Sequence, residues 1–165
     1  MEQRNLRLFN TPLELGLRTL FILNASCPNA LDIDRLSYYD YILIHSSDVE
    51  KGPLSIHPNL PYRSSEIFVK RNILQKGILL LLSKELIKID FTLDGIKYKI
   101  TEIGKVVVLS FDDTYSEELK KVSIWLCDKF ENYDDNKLNI YMKNNVDKWG
   151  GEFTKESLFR DYEFK

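Results

Sequence analysis

The spacing of apolar residues changes in the middle of the chain, within residues 64–104. From about residue 65 to residue 84 apolar side chains recur at helical spacing. Two segments with alternating apolar and polar residues follow, at residues 87–91 and 96–100, and a Thr-Leu-Asp-Gly sequence separates them. Its Asp-Gly step supplies the positive φ that a tight hairpin needs. A helix followed directly by a hairpin is typical of the second half of a winged helix-turn-helix unit.

One glycine interrupts the helical segment before the hairpin. Gly77 either divides the segment into two helices or marks a close approach of another backbone to one long helix. We favour one long helix, with any irregularity at this glycine. Ser64 or Ser65 is expected to cap it.

Two helices are predicted before this unit. The first begins at Thr11-Pro12, because threonine caps a helix and proline suits the first helical position. The second runs from Asp32 or Asp34 to about Ile44 and is apolar over most of its circumference. We expect these two helices to pack together beneath the hairpin.

Three helices are predicted after the hairpin, with caps at Thr101, Thr114 and Asp134 or Asp135. Glycines 150 and 151 are expected to end the last one. The predicted fold class is α+β and mostly helical: a winged helix-turn-helix core with a two-stranded wing and added N- and C-terminal helices. We expect a single domain over residues 1–150 and a polar C-terminal tail over residues 151–165.

Composition is that of a globular protein. The chain has 165 residues, of which 44% are hydrophobic and 29% are charged. No apolar segment reaches the length of a membrane span, and the N-terminus lacks the apolar core of a signal peptide. A cytoplasmic location without a membrane partner is therefore expected. Cys27 and Cys127 lie in apolar helical patterns and are interpreted as buried, reduced thiols.

Positive charge is concentrated in the middle of the sequence. Residues 63–105 contain nine Lys/Arg and five Asp/Glu, although the whole chain has a net charge of −2. A basic region in an acidic surrounding can contact phosphate locally or dock on an acidic protein. The side chains considered for contact with DNA phosphates are Lys70, Arg71, Lys76, Lys97 and Lys99.

Alternation places Lys97 and Lys99 on the solvent face of one wing strand. Three interpretations of these lysines remain: they lie on an ordinary hydrated surface, they contact phosphate, or they dock on a protein. Few residues that read base edges accompany them on the helix, only Arg71, Asn72 and Gln75. Sequence-specific recognition of DNA is therefore not favoured.

A long connection at residues 45–63 contains three prolines and both histidines of the chain. A loop of this length in a small domain is uncommon and is often functional. His45, Asp48 and His57 could form a zinc or acid–base site, but their spacing is not diagnostic. We favour the interpretation that the histidines join the loop to helix ends. No phosphate-binding glycine motif or nucleophile-elbow motif occurs, and no cofactor is expected.

Three short motifs carry a resemblance to a known family. They are H-S-x-D at residues 45–48, I-H-P-x-x-P-Y-R at residues 56–63 and D-G-I-x-Y at residues 94–98. With the segments between them, over roughly residues 9–150, the chain resembles the middle component of ABC-three-component systems. These bacterial operons, which include the Lamassu antiphage and antiplasmid systems, encode an SMC-like or Rad50-like ABC ATPase, a small middle protein and an effector that is often a nuclease.

The resemblance implies a non-enzymatic subunit that bridges or regulates the ATPase and the effector, with double-stranded DNA as a further partner through the complex. The wing and the loop are the expected docking surfaces, and the loop residues expected to bind a partner are His57, Pro58, Pro61, Tyr62 and Arg63. Two alternatives remain: a winged-helix transcription regulator, and a metal-dependent enzyme that uses His45, Asp48 and His57.

Overall fold

The computed structural model describes residues 10–149, so the predicted tail and the predicted stop at Gly150 lie outside the described residues. Within that range the protein is mostly helical with one two-stranded antiparallel sheet, which confirms the predicted α+β class. The elements in chain order are α1 Pro12–Ser26, α2 Ile33–Ile44, α3 Glu66–Val69, α4 Arg71–Ser83, β1 Ile87–Thr92, β2 Gly95–Ile100, α5 Glu102–Ser110, α6 Thr114–Lys129 and α7 Asp135–Val146. Short 3-10 turns occupy Ser46–Asp48 and Arg63–Ser65.

Side-chain caps start most of the longer helices. Thr11, Asp32, Thr101 and Asp134 cap α1, α2, α5 and α7 as predicted, each accepting a backbone N–H three residues later. The cap of α6 is Asp113 instead of the predicted Thr114. Its carboxylate accepts the backbone N–H of Ser116 at 3.0 Å and the hydroxyl of Ser116 at 2.5 Å. The carboxylate of Asp113 stabilises the start of α6 through these hydrogen bonds and through its favourable interaction with the helix dipole.

The helix before the hairpin is irregular at Lys70, and the prediction of an irregularity at Gly77 was wrong. Lys70 separates α3 from α4 while keeping near-helical backbone angles. Gly77 instead marks a close approach, the second alternative that the sequence left open. A Cβ atom at Gly77 would lie 2.7 Å from the carbonyl oxygen of Pro12 and 2.9 Å from the backbone nitrogen of Gly16. Glycine therefore lets α4 cross α1 at backbone contact distance.

The hairpin has the predicted strands and turn. Thr92 pairs with Gly95 around a two-residue turn, and Gly95 carries the positive φ of 120°. Leu31, between α1 and α2, adds a third segment, because it exchanges backbone hydrogen bonds of 2.9 and 2.8 Å with Tyr98 of β2. The other edge of the sheet, along β1, has no strand partner within residues 10–149.

The core surrounds α1, which lies near the centre of the molecule. This helix packs against α2, as expected, but it packs more extensively against α4 and α6. Its buried apolar residues are Leu15, Leu20, Phe21, Ile22 and Leu23. Aromatic rings of Phe130, Tyr133, Tyr141 and Trp149 contact one another beside α6 and α7.

The two cysteines differ in their surroundings. Cys127 is half-buried, and burial raises the pKa of its thiol to about 12. Cys27 is exposed, so the prediction of two buried thiols was wrong for this residue. It follows the last turn of α1, where the chain turns towards Leu31 and leaves the helical apolar face.

None of the helices in the described part of the chain is long and apolar enough to cross a membrane.

Candidate functional site

The loop between α2 and α3 is closed by a buried ion pair. Arg63 donates to both carboxylate oxygens of Asp48, from Nε at 2.9 Å and from an Nη atom at 2.5 Å. The two side chains are about 5% exposed. Asp48 ends the H-S-x-D motif and Arg63 ends the I-H-P-x-x-P-Y-R motif, so the ends of the two loop motifs meet.

Aromatic residues complete this closure. The hydroxyl of Tyr41 donates to Asp48 at 2.5 Å, and the indole N–H of Trp149 donates to the backbone carbonyl of Asp48 at 3.1 Å. The rings of Tyr41 and Trp149 stack with centroids 5.2 Å apart. Burial and the hydrogen bond to Asp48 raise the pKa of Tyr41. Asp48 is therefore an acceptor for three side chains from α2, the loop end and the residues after α7.

His45 connects the start of the loop to α3. Its ring is almost fully buried, and its Nε2 atom lies 3.5 Å from a carboxylate oxygen of Glu66, which also accepts from Lys70 at 2.6 Å. Burial opposes ionisation of Glu66, but these two hydrogen bonds outweigh it and lower its pKa to about 2. The carboxylate of Glu66 thus ties the loop to the first turn of α3.

His57 connects the loop to α6. Its Nε2 atom lies 2.9 Å from the hydroxyl of Tyr115, and its backbone N–H donates to the carbonyl of Ile44 at the end of α2. Burial, with the positive charges of Arg18 and Lys70, lowers the pKa of His57 to about 4. The ring is therefore neutral at pH 7.

The three residues considered for a metal site do not converge. Asp48 faces Arg63, His45 faces Glu66 and His57 faces Tyr115. Within residues 10–149 no group of three or more His, Cys, Asp or Glu side chains is arranged to hold a metal ion. The histidines instead make the helix contacts that the favoured interpretation predicted.

The middle of the loop is folded on itself. The hydroxyl of Ser46 contacts the carbonyls of Pro53 and Leu54 at 3.1 and 3.2 Å. A Cβ atom at Gly52 would lie 2.0 Å from the carbonyl oxygen of Ser46, so only glycine fits this turn. The loop is therefore a preformed surface whose shape depends on its own contacts.

An open groove of about 820 Å³ lies between the loop, the first turns of α1, α3 and Tyr115 of α6. Its apolar lining is formed by Leu13, Leu17, Ile56, Pro58 and Leu60. Its polar lining is formed by Asn10, Thr11, Glu14, His45, His57, Glu66, Lys70 and Tyr115. Beneath it, the fully buried Arg18 donates to both oxygens of Asp40 at 2.6 and 2.8 Å and to Glu14 at 3.0 Å.

Two of the five predicted partner-binding residues line the groove, His57 and Pro58. Pro61 and Tyr62 are exposed outside its lining, and Arg63 is buried against Asp48. Sequence reasoning missed the contributions of α1 and α6. Helical periodicity marks Leu13 and Leu17 as one apolar stripe but does not show that the loop folds over them.

The predicted phosphate contacts are mostly engaged within the chain. Four of the five basic side chains form ion pairs: Lys70 with Glu66, Arg71 with Asp34, Lys97 with Asp135 and Lys99 with Asp90. The fifth, Lys76, is exposed on α4. These pairs compete with phosphate for the same cations.

Near its turn, the hairpin exposes Phe91 and Ile96 more than it exposes Lys97 and Lys99. Phe91 is 78% exposed and Ile96 is 51% exposed, whereas the side chains of Lys97 and Lys99 are 22% and 35% exposed. The prediction that the lysines occupy the solvent face is only partly met, because Asp135 at the start of α7 pairs with Lys97.

Comparison with known proteins gives one match. The family described as ABC-three component (ABC-3C) system Middle Component 2 matches residues 8–152. No curated protein and no solved structure matches the chain. The match spans the loop, the hairpin and every helix described in residues 10–149, and it agrees with the resemblance of the three motifs. The chain therefore belongs to the ABC-3C system middle component 2 family.

Proposed function

We propose that this middle component is a non-catalytic adaptor of a bacterial antiphage or antiplasmid defence complex, of the kind that includes Lamassu. It bridges an SMC-like or Rad50-like ABC ATPase and an effector such as a nuclease. The observation that carries the proposal is membership of the ABC-3C middle component family over residues 8–152. A middle component acts through the other components of its system, so its surfaces are where function is to be sought.

The groove beside the loop is the proposed docking surface for one of these components. It combines exposed apolar side chains, including Leu13 and Leu60, with polar groups already held in hydrogen bonds. The buried ion pair of Asp48 and Arg63 fixes the conformation of the loop in the absence of a partner. A preformed surface loses less conformational entropy on binding than a flexible one.

The architecture supports a winged helix-turn-helix assignment. The order α1, Leu31 bridge, α2, α4, β1 and β2 agrees with the order expected of a winged helix, if the long loop is taken as an insertion between the second and third helices. In this assignment α4 corresponds to the recognition helix and the hairpin to the wing.

Direct contact with DNA is proposed only as a secondary, non-specific role. Phosphate would have to displace Asp34 from Arg71 and Asp135 from Lys97, which reduces the net gain from each contact. A transcription regulator depends on such contacts and is accordingly disfavoured. A gel shift with the upstream promoter separates the two, since a regulator retards its operator at nanomolar concentration and the adaptor alone does not.

Co-expression with the genes on either side tests the adaptor directly. We expect the tagged chain to co-purify with a large ABC ATPase and with an effector, and to show no ATPase or nuclease activity when purified alone. Absence of association with any neighbouring product would contradict the proposal.

A further inference from the structure

The edge of the hairpin along β1, which has no strand partner among residues 10–149, has a defined hydrogen-bonding pattern. Tyr98 directs its backbone N–H and C=O towards Leu31, away from β1. Its partner across the hairpin, Ile89, is therefore in a non-hydrogen-bonded pair and directs its own backbone groups outwards. The N–H of Thr101 donates to the carbonyl of Leu86 at 3.0 Å, which fits the same alternation.

By this alternation Lys88 and Asp90 bond β2, while Ile89 and Phe91 present their backbone groups at the open edge. Ile87 has the same orientation in the ladder but is only 2% exposed. Unpaired strand edges readily accept another strand. The side chains of Ile89 and Phe91 share one face with Ile96, and all three are exposed. The β1 edge therefore offers a second strand both backbone hydrogen-bonding groups and an apolar face.

The sequence of β1 is complementary to itself in one antiparallel register. When Ile89 faces Ile89 of a second copy, these two residues form the central hydrogen-bonded pair, and Ile87, which is 2% exposed, faces the second copy's Phe91 at the end of the ladder. In the intervening non-hydrogen-bonded pairs, where Cα atoms approach to about 4.5 Å, Lys88 faces the second copy's Asp90. Each copy thus contributes one lysine and one aspartate to two opposite-charge pairs.

The neighbouring registers are disfavoured by charge. A shift of two residues preserves the hydrogen-bonding pattern but places Lys88 opposite Lys88, or Asp90 opposite Asp90. Like charges directly opposite each other destabilise a strand pair. A shift of one residue aligns outward-facing groups with inward-facing ones and loses the ladder.

We propose that β1 pairs antiparallel with β1 of a second copy of this chain, about a two-fold axis at Ile89, to form a four-stranded sheet. The interface is isologous, because the same strand is used by both copies. This inference does not depend on the adaptor role, since it concerns the chain by itself.

Charge substitution in β1 tests the register, with sedimentation equilibrium of the full chain as the measurement. Lys88→Asp should raise the dimer dissociation constant by about 10-fold or more, because it places two acidic groups opposite each other. It should not weaken the hairpin, because Lys88 lies opposite Lys99 within the chain. Lys76→Asp on α4 changes the net charge equally and should leave dimerisation unchanged.

The double variant Lys88→Asp/Asp90→Lys is the decisive case. It restores both intermolecular pairs and keeps one like and one opposite charge pair between directly opposite residues of the hairpin. The diagonal pair of Asp90 with Lys99 is exchanged for an aspartate directly opposite Lys99. We expect a dissociation constant within about threefold of the natural chain. Failure of this variant to recover dimerisation would overturn the register.

Cross-linking tests the position of the axis. In a Cys27→Ser background, Ile89→Cys places two thiols in a hydrogen-bonded pair with Cα atoms about 5.5 Å apart, within disulfide reach. Diamide, which takes up the two hydrogens of the thiols, should convert this variant to a covalent dimer about 10-fold faster than Thr92→Cys. Equal rates, a monomeric natural chain, or occupation of this edge only by a strand of another component would each refute pairing with a second copy.

Discussion

Single residues decide the shape of the loop through long-range polar contacts. Asp48 and Arg63 are 15 residues apart and meet as a bidentate, buried pair. Most of this segment has no regular secondary structure, so the ion pair helps to stabilise its conformation instead.

Removal of Asp48 should therefore be costly. We expect Asp48→Ala to lower the free energy of unfolding by about 3–5 kcal/mol, because it removes the carboxylate that accepts from the buried guanidinium of Arg63 and from the hydroxyl of Tyr41. Glu118→Ala, which breaks the exposed pair with Lys121, should cost at most about 0.5 kcal/mol. Urea unfolding measures both, and similar effects for the two variants would contradict a structural role for the buried pair.

His57 should make stability depend on pH. Its pKa is about 4 in the folded protein and about 6.5 in an unfolded chain, so between these values the unfolded state binds more protons. Stability is expected to fall as the pH falls from about 6.5 to about 4. His57→Gln keeps an N–H near Tyr115 but removes the titration, so its stability should vary less across this interval. Equal pH dependence of urea unfolding would show that His57 does not contribute.

At the scale of elements, backbone proximity between α1 and α4 organises the core. Gly16 and Gly77 face each other where the helices cross, and a side chain at either position would meet backbone. Backbone atoms cannot rotate away as a side chain can. The helices would have to separate to admit even a methyl group.

Gly77→Ala tests this crossing. Alanine favours a helix over glycine by about 1 kcal/mol, but here its Cβ atom would lie 2.7 Å from the carbonyl oxygen of Pro12. We expect a net loss of about 1–3 kcal/mol in the free energy of unfolding. Gln75→Ala, at an exposed position of the same helix, should be neutral or slightly stabilising. A stabilised Gly77→Ala variant would mean that the helices adjust without cost.

The start of α6 distinguishes the observed cap from the predicted one. Asp113→Ala removes the acceptor for Ser116 and should cost about 1 kcal/mol. Thr114→Ala, at the first helical position, should cost less than half of that amount. Thermal or urea unfolding that ranks the two variants in the opposite order would restore Thr114 as the cap.

At the scale of the whole molecule, the groove joins parts of the chain that are far apart in sequence. Leu13 comes from α1, Leu60 from the loop and Tyr115 from α6. The two leucines are exposed in a concave setting that is suited to an apolar partner surface. This is where the adaptor proposal is most open to a mutational test.

Leu60→Glu should weaken association with the docked component by at least about 10-fold, because it places a charge in the apolar part of the interface. Leu54 provides a matched control, since it lies in the same loop, is 90% exposed and does not line the groove. Co-purification of Leu60→Glu and Leu54→Glu with the neighbouring components measures the difference. Equal recovery would place the docking surface elsewhere.

The amino-acid sequence by itself determined the helices, most of their caps, the hairpin with its turn and the family. These features depend on neighbours within about four residues or on side-chain alternation, and both can be read along the chain. Sequence reasoning erred at Lys70, where the irregularity does not lie at a glycine, and at Asp113, where two adjacent residues could cap.

Only the tertiary structure decided which charged groups meet and which apolar faces stay open. Asp40, Asp48 and Asp135, which pair with Arg18, Arg63 and Lys97, lie 22, 15 and 38 residues from them, and no local pattern selects these carboxylates. The groove likewise exists because the loop folds over α1. Such contacts depend on how the elements pack, since a side chain at a known position in its helix still has many candidate neighbours before the core forms.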